Sequence, residues 1–92
     1  MAYQRGERYG AVTAEQLKTA VFFKGQVRNA AIPWRPQMTL SQAILAADYL
    51  GRQDPRTIIV TRNGTPAFVD VKRLLRGQED HEVLPHDVIE IR

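Results

Sequence analysis

Trp34 lies between Pro33 and Arg35-Pro36, and this pairing of an indole with a guanidinium is the most suggestive local arrangement in the chain. Such a pair can stack on a sugar ring or anchor a partner protein, because Trp and Arg concentrate at binding hot spots. The same indole can equally cover one edge of a small core, where large aromatics supply much of the buried area. Tyr49 near Arg52 repeats the arrangement with less force, and Arg28 can add charge to either place. Trp34, Arg35 and Arg28 are therefore the expected ligand-contact residues.

The remaining polar groups suggest less chemistry. His81 and His86 are the only histidines, with Glu82 and Asp87 beside them. Imidazole and carboxylate suit zinc, but a spacing of five matches no helical ligand pair, so ordinary surface histidines are expected and no metal. Thr13 and Thr39 are explained by helix capping and Ser41 by a helix start. Asp48 and Asp54 have no partner that spacing can name. With no nucleophile beside a base, no catalytic residue, no cofactor and no enzymatic activity are expected. Lys72, Arg73 and Arg76 could meet an acidic glycan or a partner's carboxylates, although the solvated face of a short turn explains them as well.

Composition narrows the classes further. A chain of 92 residues makes one domain with a small core. The absence of cysteine excludes disulfides, thiolate metal sites, iron–sulfur clusters and a Cys nucleophile. The net charge is +3, from thirteen basic and ten acidic residues, and the basic ones are spread from Arg5 to Arg92. Nucleic-acid binding calls for a concentrated basic stripe or patch, so this distribution disfavours it. No apolar run approaches the roughly 20 residues of a membrane helix. Residues 1–10 are polar and lack an apolar secretory core. A chain that is whole would then stay in the cytoplasm, whereas a piece of an exporter would belong to the periplasm or the outer membrane.

The elements that must position these groups are arranged around one helix over residues 39–51. Thr39 followed by Gln42 is a capping box. Leu40, Ala43, Ile44, Ala47 and Leu50 form one apolar stripe, and Gly51 stands where a left-handed terminator is expected. Thr13 and Gln16 repeat the capping logic, with Val12 able to staple against Leu17, and predict a short helix over residues 14–20 after a loose arm. Residues 21–27 and 30–34 read as strands, the second held to an edge or cut short by Pro33 and Pro36. Residues 57–62 and 65–71 read as a hairpin closed by Asn63-Gly64 in a type I′ turn. That register sets Val60 opposite Ala67 and Ile58 opposite Val69, with Ile59 and Phe68 on the other face. Residues 72–77 suggest one helical turn closed by Gly77, and residues 88–91 a last strand with Ile89 and Ile91 on one face. The predicted fold class is α+β: a β-grasp arrangement with a mixed sheet of four to five strands, one main helix across it and a short N-terminal helix.

Over residues 21–92 the pattern resembles the soluble-ligand-binding β-grasp (SLBB) domain of bacterial polysaccharide export proteins. The matching stretches are Lys24-Gly25-Gln26-Val27, the helix entry at Met38-Thr39-Leu40, the strand ending in Arg62-Asn63-Gly64, the stretch from Val69-Asp70-Val71 to Leu75-Arg76-Gly77, and the closing Leu84-Pro85-His86-Asp87-Val88-Ile89-Glu90-Ile91. The last is the most specific. Three glycine-bearing turns of the family are altered: Ala30-Ala31 replaces Pro-Gly, Ala47-Asp48-Tyr49 replaces Ala-Gly-Gly, and Pro85-His86-Asp87 replaces Pro-Gly-Asp. Residues 1–20 have no counterpart.

The resemblance implies a non-catalytic binding or assembly module in capsule or exopolysaccharide export. It would contact polysaccharide or neighbouring export-complex subunits, with self-association into homo-oligomers consistent with ring-forming exporters. Two alternatives come from other classes. A small nucleic-acid-binding β-grasp domain requires the basic side chains to converge in space. A sulfur-carrier or ubiquitin-like protein requires a C-terminal Gly-Gly, and this chain ends Ile91-Arg92.

Overall fold

The computed structural model describes residues 13–92 as an α+β structure with a five-stranded mixed sheet. The strands are β1 (Val21–Lys24), β2 (Ala31–Ile32), β3 (Ile58–Arg62), β4 (Thr65–Val69) and β5 (Val88–Ile91), with helices α1 (Leu40–Ala47) and α2 (Val71–Leu75). The order across the sheet is β2-β1-β5-β3-β4. β1 and β5 run parallel at the centre, from Phe22 opposite Val88 to Lys24 opposite Glu90, while every other pairing is antiparallel. The expected arm at residues 1–11 and the Val12 staple lie outside the described residues.

Period-two alternation divides the sheet into two faces. Ile58, Ile89, Ile91, Val21 and Phe23 are buried and pack with Leu40, Ala43 and Ala47 of α1, with Leu74 of α2 and Val83 completing the core. Ile59 and Phe68 pair on the opposite face, as their register requires, and Phe68 is 73% exposed.

α1 begins as its sequence predicts. The Thr39 hydroxyl accepts from the Gln42 amide, and the Gln42 side chain accepts from the Thr39 amide at 3.0 Å. The other two free amides are met from a distant segment: Leu40 donates to the His81 carbonyl at 2.8 Å, and Ser41 donates to Asp80 Oδ1 at 2.8 Å.

The helix stops differently from expectation. It ends at Ala47, and Asp48 rather than Gly51 takes the left-handed conformation (φ 61°). Asp is one of the few residues that tolerate it. The exposed carbonyls are taken by the β1–β2 connection, where the Asn29 amide donates to Ala47 O at 2.9 Å and Asn29 Nδ2 to Ala46 O at 2.9 Å. Asp48's own amide covers Ile44 and Leu45. All four free carbonyls of the last turn are therefore paired. Gly51 instead gives room to the Tyr49 ring, which a Cβ there would strike.

The N-terminal element is a single 3-10 turn over Gln16–Lys18, shorter than the helix expected, although Thr13 and Gln16 do form their reciprocal pair. It buries none of its side chains, so tertiary packing does not extend it. β1 stops at Lys24 because Gly25 turns away with φ 121°. β2 is two residues long and ends at Pro33, on the sheet edge as expected.

The β3–β4 turn is type I′ in its signs, with φ 52° at Asn63 and 79° at Gly64. With Arg62 and Thr65 closing that turn, Thr65, Ala67 and Val69 are the residues bonded to β3. Pro66 therefore falls at a position facing the free edge, where its missing N–H costs no ladder bond. Asp70, expected within the strand, leaves it and caps α2 by accepting from the Arg73 amide at 3.2 Å.

Gly25 offers a direct test of the sheet's central geometry. A Cβ there would overlap the Ile91 carbonyl, whereas one at Gly64 meets nothing within 4 Å. Gly25→Ala is expected to destabilise by about 3 kcal/mol or more, and Gly64→Ala by about 1 kcal/mol. Equal midpoint shifts in urea denaturation would contradict this reading.

Candidate functional site

Of the three residues expected to contact a ligand, two have their polar groups engaged within the fold. Trp34 is half-buried against the core, and its indole N–H donates to the Val83 carbonyl at 2.9 Å. Arg28 Nε donates to Asp48 Oδ2 at 2.7 Å, and its amide donates to the Asp48 carbonyl at 3.0 Å. Arg28 thus belongs to the C-terminal end of α1, while Trp34 reaches the segment that leads into the turn before β5. Arg35, which follows Trp34 directly, is exposed. None of the three lines the larger surface grooves.

The histidines are separated. His86 adopts φ 72° in its turn, its ring nitrogen meets the Lys18 carbonyl, and its amide donates to Ala20 O at 2.9 Å. It thereby anchors the 3-10 turn. His81 is exposed, 3.9 Å from Glu79. Among the described residues, no group of three His, Asp or Glu side chains is placed to hold a metal ion.

One ionised contact escaped the reading of the sequence. Asp87 is 1% exposed, the one buried charged residue among those described. Arg62 grips it with both arms of the guanidinium: Nε donates to Oδ1 at 3.0 Å and Nη2 to Oδ2 at 2.8 Å. The Leu84 amide adds a third bond to Oδ2 at 2.8 Å. Hydrogen bonding to Asp87, with a smaller gain from its charge and against the cost of burial, raises the Arg62 pKa above the ordinary guanidinium value. Because the folded value is the higher one, this contribution is complete below the unfolded pKa and is lost only as pH rises through the folded one. The Arg62 guanidinium is thus fully charged at neutral pH. Its residues lie 25 apart, so no local spacing signals it.

A second grouping is also visible only in three dimensions. Arg52, Arg56 and Arg92 line one groove of 730 Å³ at the end of the sheet, together with Tyr49. Sequence pattern singled out Tyr49 with Arg52. It gave no reason to join them to Arg92, which reaches them through backbone pairing: Arg92 donates to Thr57 O at 2.9 Å, and Arg56 donates to Arg92 O at 2.9 Å. An apolar groove of 360 Å³ between α1 and α2 carries Leu45, 81% exposed, and Leu75. The groove beside β4, of 680 Å³, holds Val60, Phe68, His81 and Glu82.

Two outcomes check these roles. Asp87→Asn and Arg62→Met are each expected to cost about 2–3 kcal/mol, below the usual figure for a broken buried pair because Arg62 is partly solvated. The double variant should cost clearly less than the sum in urea denaturation, and strict additivity would show that the two side chains are not coupled. Trp34→Ala should cost about 3 kcal/mol through lost packing and a stranded Val83 carbonyl. An unchanged midpoint would return Trp34 to the surface.

A comparison with known families and characterised proteins finds no family model that matches this chain and no curated relative that matches it.

Proposed function

We propose that this chain is a β-grasp module of the SLBB kind: a non-catalytic binding and assembly domain for the export of cell-envelope polysaccharide. The observation that carries the reading is the strand order β2-β1-β5-β3-β4, with a parallel central pair and α1 in the crossover between β2 and β3. A single helix laid across one face of such a sheet is what the β-grasp arrangement requires. The turn that carries the strongest sequence resemblance, residues 84–87, is also where the buried Asp87 joins β3 to the entry of β5. Fold alone does not specify activity, so the polysaccharide assignment rests on the resemblance together with the chemistry of the surface.

Three guanidiniums beside a tyrosine favour an acidic glycan, and the exposed Leu45 and Leu75 favour a neighbouring subunit. Arg35, the outer edge of Trp34 and the solvent-facing remainder of the Arg28 guanidinium are the part of the expected contact set left open to either. A small nucleic-acid-binding domain is the second reading, because Arg52, Arg56 and Arg92 do converge.

Amide NMR titration with acidic oligosaccharides and with a single-stranded oligonucleotide separates the readings. The expected result is shifts with the saccharides at concentrations where the oligonucleotide produces none. Preference for the oligonucleotide, with affinity falling steeply in salt, would establish the second reading. A flat response to both, from a chain that is monomeric by light scattering, would refute the binding and assembly role.

A further inference from the structure

We infer that the groove at the end of the sheet is the saccharide site itself, and that it takes a short carboxylate-bearing oligosaccharide. The inference rests on the polysaccharide reading above and adds a place and a ligand class.

Three separate segments build the groove. Gln26 comes from the β1–β2 connection, Tyr49 to Arg56 from the α1–β3 connection, and Arg92 follows β5. Backbone pairing holds them together: Leu50 donates to Gln26 O at 2.8 Å, Val27 and Tyr49 form an antiparallel bridge, and Arg92 and Thr57 bond across the end of the sheet. The Tyr49 hydroxyl donates to the Gln53 carbonyl at 2.9 Å, which fixes the ring at the wall of the groove over Gly51. Main chain thus holds both ends of the 49–56 segment and the Tyr49 hydroxyl its middle, which lowers the ordering a ligand would have to impose.

The charges are lopsided. Three guanidiniums face one lining carboxylate, Asp54. Arg92 Nε is shared with Glu90 at 2.9 Å, whereas Arg52 and Arg56 form no ion pair with any described residue. A guanidinium fork matches a carboxylate with two parallel N–H bonds. The side-chain amides of Gln26 and Gln53 offer both donors and acceptors, the combination that sugar hydroxyls need. Tyr49 and Leu50 give an apolar wall for a ring face.

The number of aromatic rings in the wall separates a glycan from a nucleic acid. At 730 Å³ the groove falls within the roughly 300–1,000 Å³ of small-ligand sites. Single-stranded nucleic acid needs a charged track of about 4–16 nucleotides with successive aromatic platforms, and this groove has one aromatic ring. A few sugar units fit that description better than a strand.

The test is titration of the 15N-labelled chain with trigalacturonate, with a neutral galactose trisaccharide and a single-stranded oligonucleotide as controls. Trigalacturonate should shift the amides of Gln26, Tyr49–Asp54 and Arg56, and the neutral sugar should not. In the Arg52→Gln/Arg56→Gln variant, whose substitutions lie on exposed side chains, affinity should fall by about tenfold or more at an unchanged melting temperature. Binding that survives this variant, or shifts centred elsewhere, would overturn the groove as the site while leaving the polysaccharide reading intact. Absence of binding to any saccharide would overturn the groove as the site and leave assembly with neighbouring subunits as the remaining role, whereas tighter binding of the oligonucleotide would overturn both readings.

Discussion

A carboxylate with almost no access to water sits where this fold changes direction for the last time, and much of the architecture follows from giving it partners there. Asp87 could not be buried alone, since an unpaired charge in a low-dielectric interior is severely penalised. The guanidinium of Arg62 and the amide of Leu84 supply three donors to its two oxygens. The main-chain carbonyl of the same residue accepts from Phe22 at 2.9 Å. One residue thus ties β3, the segment before β5 and β1 to a common point. Because β1 and β5 are parallel, no hairpin could set their register. It falls instead to contacts of this kind between distant segments.

The same dependence on distant partners explains what could be read from residue order and what could not. The start of α1 was legible because a capping box is a local device, complete within Thr39 to Gln42. The β3–β4 hairpin was legible for the same reason, down to the facing of Ile58 and Val69, because Asn63-Gly64 closes it without outside help. The end of α1 was not, because its carbonyls are met by Asn29 and Asp48 rather than by a glycine. Asp87 read as a turn residue beside a histidine, and only the folded chain brings Arg62 to it.

The candidate surface divides in the same way. Proximity in sequence pointed to Trp34, Arg35 and Arg28, yet the fold uses the indole N–H on its own main chain and the Arg28 Nε at the helix end. Arginines 52, 56 and 92 are unremarkable in sequence and become neighbours because β5 finishes beside the connection that enters β3. A scattered basic composition therefore conceals a local concentration of charge.

Pro66 has a bearing on how copies of the domain could associate. The outer margin of β4 lacks a donor near its start, and the opposite margin offers only the two residues of β2 before Pro33 interrupts it. Neither side presents the uninterrupted row of main-chain groups that a foreign strand would need. Sheets of neighbouring molecules are thereby kept from zipping into one another. Any higher-order ring or stack has to meet through side chains on faces and loops, by contacts that can be tuned residue by residue and that come apart without tearing a ladder.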